Sequence, residues 1–127
     1  MTSPPENLPE QEAGGILTID LAAIVANWRD LGARAVPAEC AAVVKADGYG
    51  CGIAPVASAL NGAGCRTFFV AHLAEAREAR RAAPQAAVYV LNGLLPDTAA
   101  AYASNDLRPV VCSSDELAEW TAFRAAT

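Results

Sequence analysis

Residues 67–91 read TFFVAHLAEAREARRAAPQAAVYVL, and this stretch decides the fold class. The apolar runs 67–71 and 86–91 predict two strands, and the charged, alanine-rich segment Leu73–Ala82 predicts a helix between them. A connection of this length accommodates a right-handed crossover helix, so the two strands are predicted to be parallel. The stretch is therefore a β-α-β unit of an α/β protein.

The same alternation continues on both sides of this unit. Three more strands are predicted from short apolar runs, at residues 16–19, 40–46 and 107–112. The remaining segments carry apolar residues at helical spacing, and two of them begin at capping residues, Asp20 and Ser113. Helices are thus predicted at residues 21–31, 53–60 and 96–105, and after Ser113. Five strands, each followed by a helix, make up the predicted order.

Two architectures fit five parallel β-α units. One is the N-terminal portion of a TIM-type (β/α)8 barrel, which takes about 250 residues when complete. The alternative is a self-contained, five-stranded doubly wound sheet. Both place their chemistry at the C-terminal ends of the strands, where residues 45–52, His72, 92–93 and 113–114 are found. These positions are predicted to share one edge of the sheet.

Composition excludes several classes of function. The net charge of −5 and the lack of a basic cluster argue against nucleic-acid binding, which needs grouped cations. Arg77, Arg80 and Arg81 lie among Glu75 and Glu78, so we interpret them as a solvated ion-pair face. No apolar run reaches the length of about eighteen residues that a membrane span needs, so no membrane partner is predicted.

The acidic, proline-containing start of the chain predicts a disordered tail over residues 1–14, followed by one domain over 15–127. It lacks the features of a secretory signal, so a cytoplasmic location is predicted. The four cysteines form no CxxC pair, and His72 is the single histidine. We therefore expect reduced, mostly buried thiols and no metal site.

Lys45 is the only lysine in the chain and ends the apolar run 40–46. An amine held against apolar surroundings loses solvation of its charged form, so its pKa falls and it becomes nucleophilic toward carbonyls. Such an amine can form an imine with an aldehyde such as pyridoxal phosphate. The alternative is compositional, because eight arginines and thirty alanines suggest that lysine is simply rare here. Lys45 would then be a strand-end residue with its charge in solvent.

Three alternating glycines, Gly48, Gly50 and Gly52, follow Lys45 and precede a predicted helix. Backbone amides and the helix dipole could hold a phosphate there, and Tyr49 could add a hydroxyl donor. The spacing matches neither a Walker A loop nor a dinucleotide fingerprint. A purely structural turn is the alternative.

The segment 43–52, VVKADGYGCG, closely resembles the pyridoxal phosphate attachment signature of bacterial alanine racemases, which usually reads VVKA(D/N)AYGHG. The segments TIDL at 18–21, FVA at 69–71 and VYVLNG at 88–93 keep the rhythm of that family, and the resemblance covers about residues 17–120. Two positions depart from the signature. Gly48 replaces an alanine, and Cys51 stands where histidine is common.

The resemblance implies roles for three residues. Lys45 would bind the cofactor covalently and act as the base on one face of the substrate. Tyr49 would hydrogen-bond the cofactor phosphate, and Leu91 would pack near the cofactor ring. The resemblance gives His72 no role, and Asp47 is expected to brace the turn.

The resemblance also implies pyridoxal 5′-phosphate-dependent racemisation of L-alanine to D-alanine for peptidoglycan synthesis, by a homodimer. In that family a C-terminal β domain supplies a tyrosine as the second base, and both are expected to lie beyond Thr127. Residues 15–127 would then be a partial barrel domain, inactive alone. Two alternatives are a non-catalytic pyridoxal phosphate-binding protein of the single-domain barrel type and an α/β binding module in which Lys45 is structural.

Overall fold

The computed structural model describes residues 9–127 and contains four strands and six helices in that range. The strands are β1 (Ala42–Val43), β2 (Thr67–Val70), β3 (Ala87–Val90) and β4 (Arg108–Pro109). The helices are α1 (Leu21–Ala35), α2 (Lys45–Tyr49), α3 (Ile53–Gly62), α4 (Leu73–Ala82), α5 (Ala99–Ser104) and α6 (Ser114–Ala126). A short 3-10 turn, Glu10–Glu12, precedes them, and residues 1–8 of the predicted tail lie outside the described range.

All strand pairs are parallel, and the strands lie side by side in chain order, β1-β2-β3-β4. A doubly wound sheet reverses its strand order at a switch point, whereas a (β/α)8 barrel adds each strand next to the previous one. The sheet is therefore part of a TIM-type barrel, and the doubly wound alternative is wrong.

The predicted first strand is also wrong. Residues 16–19 form no strand, and Ile16 and Leu17 are 64% and 79% exposed. Their sequence is apolar enough for a strand, but a strand also needs a neighbour, and none pairs with them within residues 9–127. The helix that follows agrees with the prediction, because the Asp20 carboxylate accepts a hydrogen bond from the Ala23 amide at 3.0 Å.

The other predicted elements are present, with shorter strands. The clearest shortening is in the run 40–46, where only Ala42–Val43 is strand because the chain turns sharply at Lys45. Pro109 has no amide to donate, and β4 is limited to Arg108–Pro109. Helix α1 continues past Gly32 to Ala35 and ends before Pro37, which disfavours helical geometry in the residue before it.

Alternation along the strands gives the sheet two different faces. Phe68, Val70, Val88 and Val90 are fully buried and belong to one core with the apolar residues of α3 and α4. The other face carries a row in register across the sheet, Val43–Phe69–Tyr89–Arg108, whose members are more exposed. In a closed barrel this second face lines the interior.

Helix α4 has only part of the solvated charged face that was predicted. The Arg80 guanidinium, 14% exposed, donates to the carbonyls of Ala86 at 2.6 Å, Pro84 at 3.1 Å and Asn105 at 3.2 Å. Arg80 thereby joins the end of α4 to the start of β3 and to the turn before β4. Arg77 and Arg81 are exposed, as predicted.

The cysteines are less buried than expected. All four are free thiols, but only Cys65 is buried; Cys40 and Cys51 are half-buried, and Cys112 is exposed. Burial raises the pKa of the Cys65 thiol, which makes it unreactive. None of the helices in the described part of the chain has the length and hydropathy to cross a membrane.

Candidate functional site

Lys45 lies at the C-terminal end of β1, where the chain leaves the sheet. Its side chain is half-buried, and no carboxylate forms a salt bridge with its amine within residues 9–127. Lys45 lies just beyond the end of β1, and Leu91 lies just beyond the end of β3. Both residues are therefore at the C-terminal edge of the sheet that carries the Val43–Phe69–Tyr89–Arg108 row.

The chain after Lys45 makes a left-handed turn. Ala46, Asp47, Gly48 and Tyr49 have φ angles of 52°, 53°, 63° and 56°, and Gly50 continues at 83°. Each non-glycine residue in this conformation costs about 1–3 kcal/mol, so the turn persists only if neighbouring groups hold it. Strain of this kind is typical of functional sites.

The turn uses its own amides to hold itself together. Five of them donate within the turn: Gly48 to the Val44 carbonyl, Gly50 to Ala46, Cys51 to Gly48, Gly52 to the Asp47 carbonyl at 2.7 Å, and Ile53 to the Asp47 carboxylate at 3.0 Å. The expectation that these amides hold a phosphate is therefore wrong, because they have no free donor. The expectation that Asp47 braces the turn is confirmed.

Glu75 was expected on a solvated ion-pair face, and the structure places it elsewhere. Its side chain is 11% exposed and lies against the turn, rather than on a solvated face. One carboxylate oxygen accepts from the Ala46 amide at 2.8 Å, and the other accepts from the Ala71 amide at 2.8 Å. Glu75 thus connects the residue after Lys45 to the end of β2. The signal in the sequence was an acidic residue three positions into a helix that follows a strand.

Glu75 is held in its ionised form. Burial alone would raise the pKa of its carboxyl group, but the hydrogen bonds from the Ala71 and Ala46 amides and the nearby His72 outweigh that effect and lower it. His72 Nε2 lies 3.7 Å from the carboxylate, and the His72 side chain is 56% exposed. His72 is thus a surface residue at the start of α4.

The other two predicted site residues lie at the same end of the sheet. Tyr49 is 63% exposed, and its hydroxyl makes no hydrogen bond within the described range. Leu91 is half-buried, and its amide donates to the Val70 carbonyl at 2.8 Å, which continues the β2–β3 ladder by one residue. Within residues 9–127, the Lys45 amine thus has no salt bridge, the Tyr49 phenol has no hydrogen bond, and Leu91 is an apolar residue at the same edge of the sheet.

Two aromatic side chains lie in the Val43–Phe69–Tyr89–Arg108 row. The rings of Phe69 and Tyr89 stack with centroids 5.0 Å apart, and the Arg108 guanidinium lies 5.3 Å from the Tyr89 centroid. Arg108 also donates to the Tyr89 hydroxyl at 2.8 Å. Arg108 was not singled out from the sequence, because only the strand register brings it beside Tyr89.

A small apolar pocket lies beside this edge. Its volume is about 120 Å³, and its lining includes His72, Val90, Asn92 and Tyr102. The Tyr102 hydroxyl donates to the Gly93 carbonyl at 2.8 Å. This bond anchors the loop after β3 to α5.

Residues 19–127 match the family profile described as alanine racemase, N-terminal domain. Alanine racemase of Methylobacterium nodulans is 61% identical over 107 residues, which cover 84% of this chain and 29% of that protein. Alanine racemase of Brucella ovis is 51% identical over 112 residues, which cover 87% of this chain and 28% of that protein.

Solved structures give the same result. Alanine racemase from Bartonella henselae, with covalently bound pyridoxal phosphate, superimposes with a TM-score of 0.80 at 40% identity, over 83% of this chain and 30% of that chain. Alanine racemase from E. faecalis has a TM-score of 0.71 at 32% identity, over 81% of this chain and 28% of that chain. The chain therefore spans less than a third of the length of the relatives it matches.

Proposed function

Because the chain belongs to the alanine racemase family through its N-terminal domain, we propose that it supplies the cofactor-binding lysine of a pyridoxal 5′-phosphate-dependent alanine racemase. The observation that carries this proposal is the position of the only lysine, at the C-terminal edge of a parallel barrel sheet and within the attachment signature. Alanine racemase from Bartonella henselae, a relative of the same fold, holds pyridoxal phosphate covalently.

The residues at this edge fit the cofactor, with one exception. The Lys45 amine has no competing ion pair within residues 9–127, and Leu91 offers an apolar side chain at the same edge of the sheet. The Tyr49 hydroxyl is free to donate to the phosphate. The exception is the glycine turn, whose amides are used internally. We therefore assign Tyr49, and not those turn amides, as the phosphate-binding group that this segment contributes.

Each residue then has a stated task in the proposed reaction. When bound, the cofactor withdraws electrons from the α-carbon of the substrate and so stabilises the charge left by proton removal. Lys45 holds the cofactor and moves the α-proton on one face through its Nζ atom. Tyr49 orients the phosphate, and Leu91 packs against the ring.

The whole enzyme's properties are part of the same proposal. They are L-alanine as substrate, D-alanine for peptidoglycan as product, a cytoplasmic location and a homodimer. Residues 15–127 would be a partial barrel domain, with a C-terminal β domain supplying the second base. Racemisation needs a base on each face, and each base contributes about 10²- to 10⁴-fold. We therefore expect the 127-residue chain alone to convert no measurable L-alanine to D-alanine.

Covalent attachment tests the proposal directly. Adding pyridoxal phosphate to the chain is expected to produce the absorption band of a lysine adduct at about 420 nm. Borohydride reduction followed by peptide mass spectrometry should locate the label on Lys45. Lys45→Arg, which keeps the positive charge, should abolish both signals. A band that survives in Lys45→Arg, or a label confined to the N-terminal amine, would refute the assignment.

A further inference from the structure

We propose that Glu75 is a positioning residue for Lys45, holding the lysine at the edge of the sheet through a bridge between the Ala46 and Ala71 amides. The inference deepens the proposed function and rests on it, since Lys45 is the residue being positioned. Glu75 touches neither substrate nor cofactor in this account. It acts through the backbone of the residue that follows Lys45.

The geometry of the turn explains why such a bridge is needed. Ala46 is the first residue with a positive φ, and it comes directly after Lys45. An unsupported alanine returns readily to the right-handed or extended region, which would rotate the peptide plane between Lys45 and Ala46. The hydrogen bond from the Ala46 amide to Glu75 opposes that rotation.

The second hydrogen bond of Glu75, which it accepts from the Ala71 amide, ties the turn after Lys45 to the neighbouring strand. Ala71 directly follows β2, the strand paired with β1, and its carbonyl accepts from the Asn92 amide at 3.0 Å, so the sheet sets its position. Because one carboxylate accepts from both amides, the start of the turn is held at a set distance from the neighbouring strand. The Glu75 side chain is 11% exposed, and its ionised form strengthens both bonds.

The same chain contains a second residue, Glu116, that serves as a control for a purely structural role of Glu75. Glu116 lies at the same position of α6, and its carboxylate accepts from the Cys112 amide, four residues earlier, at 2.7 Å. This repeats the Glu75–Ala71 bond without any contact to the lysine turn. Glu116→Gln is therefore the matched control for the loss of a helix-start carboxylate. Glu78→Gln, one turn along α4, controls for charge on the same helix.

Lys45 is the only lysine, so its amine can be followed without a cofactor. Reductive methylation with ¹³C-formaldehyde places one side-chain reporter on Lys45, distinct from the N-terminal amine. In Glu75→Gln we expect the Lys45 resonance to shift and broaden, and the Ala46 amide to lose protection from hydrogen exchange. Glu116→Gln and Glu78→Gln should leave both unchanged.

Cofactor measurements separate positioning from general damage. In Glu75→Gln, covalent attachment of pyridoxal phosphate should slow about tenfold, as expected for a misplaced nucleophile. Binding of 4-deoxypyridoxine 5′-phosphate, which has no aldehyde, should change less than about twofold, because it does not need the amine in position. Glu75→Ala, which removes both acceptors, should slow attachment further.

Three outcomes would overturn the proposal. They are an unchanged attachment rate in Glu75→Gln, an equal loss of attachment and of analogue binding, or the same loss in Glu116→Gln. If the unmodified chain forms no adduct, the proposed function fails. The resonance of Lys45 and the exchange of the Ala46 amide then still decide whether Glu75 positions the lysine.

Discussion

The loop after β1 and the loop after β3 are both held by acidic residues from the first turns of a later helix, but in different ways. One carboxylate, Glu75, supports the first loop and its neighbouring strand together. The second loop has two acidic supports besides the Tyr102 hydroxyl, since Glu116 packs against Gly93 and Glu119 accepts from the Asp97 amide at 2.9 Å. The carboxylate support of the first loop thus comes from one residue beside the lysine, whereas that of the second loop is divided between two residues.

The strain of the two loops differs as well. The first loop contains consecutive left-handed residues, whereas positive φ angles in the second occur singly, at Gly93 and Asp97. A turn of consecutive strained residues depends strongly on its support, because its non-glycine residues return to favourable backbone regions when that support is removed. Substitutions in the two loops should therefore differ in what they do to Lys45 and to stability.

The largest loss of stability is expected at Gly93, where the second loop has no room for a side chain. A Cβ atom there would lie 2.6 Å from a Glu116 carboxylate oxygen, at a φ of 81°. We expect Gly93→Val to lower the free energy of unfolding by about 3 kcal/mol, from backbone strain and displacement of Glu116. Urea denaturation followed by tryptophan fluorescence measures this loss. A loss below that of Gly62→Val, at a glycine with open space around it, would contradict the packing argument.

Alanine substitutions at Glu75 and Glu119 compare the loss of stability in a loop held by one carboxylate with that in a loop held by two. Glu75→Ala leaves two amides without their acceptor, so we expect a loss of about 2 kcal/mol. Glu119→Ala removes one acceptor and leaves Glu116 in place, so we expect about 0.5–1 kcal/mol. The same denaturation measurement compares them. Equal losses would show that the two loops are supported alike.

The pH dependence of the Glu75 contribution should sharpen the comparison. Its folded-state pKa lies below the ordinary value of 4.5, so the stabilisation is fully present above that value and is lost as pH falls through the folded-state pKa. The stability difference between the wild type and Glu75→Gln should therefore be constant near neutral pH and shrink in acid. His72 faces Glu75, so the series should be repeated with His72→Asn. A difference that grows in acid would contradict this account.

The smallest effect is expected at Gly48. A Cβ atom there would meet only ordinary contacts, 3.5 Å from the Ile53 nitrogen, although φ is 63°. Gly48→Ala, the residue that the related signature usually carries, gains about 0.4–1 kcal/mol from the unfolded state and loses a similar amount to the left-handed backbone. We expect a net change within about 0.5 kcal/mol and an unchanged adduct band. A loss comparable to that of Gly93→Val would show that the two loops share the same steric limit.

Local pattern predicted much of this fold. The unit from β2 through α4 to β3 agreed with its periodicity, and the caps at Asp20 and Ser113 were confirmed by their hydrogen bonds. Lys45 was recognised because its residue type and neighbours are unusual in the chain itself. These features depend on residues close together in sequence.

The features that were predicted wrongly depend on partners that are distant in sequence or are not found within residues 9–127. Residues 16–19 look like a strand, yet no neighbour pairs with them within residues 9–127. Glu75 looked like a surface charge because its contact to Ala46 spans 29 residues. The left-handed turn was also missed, because alanine and tyrosine rarely adopt a positive φ and the hydrogen bonds that hold them there are not visible in the sequence.

The span between Ala46 and Glu75 has a consequence for biosynthesis. Protein chains emerge from the ribosome N-terminus first, at about 5–20 residues per second, and fold as their segments become available. Lys45 therefore leaves the exit tunnel seconds before the side chain that braces its turn. During that interval the Lys45 amine of the nascent chain is not yet held in position. The turn takes its final form only once α4 has docked onto the first two strands.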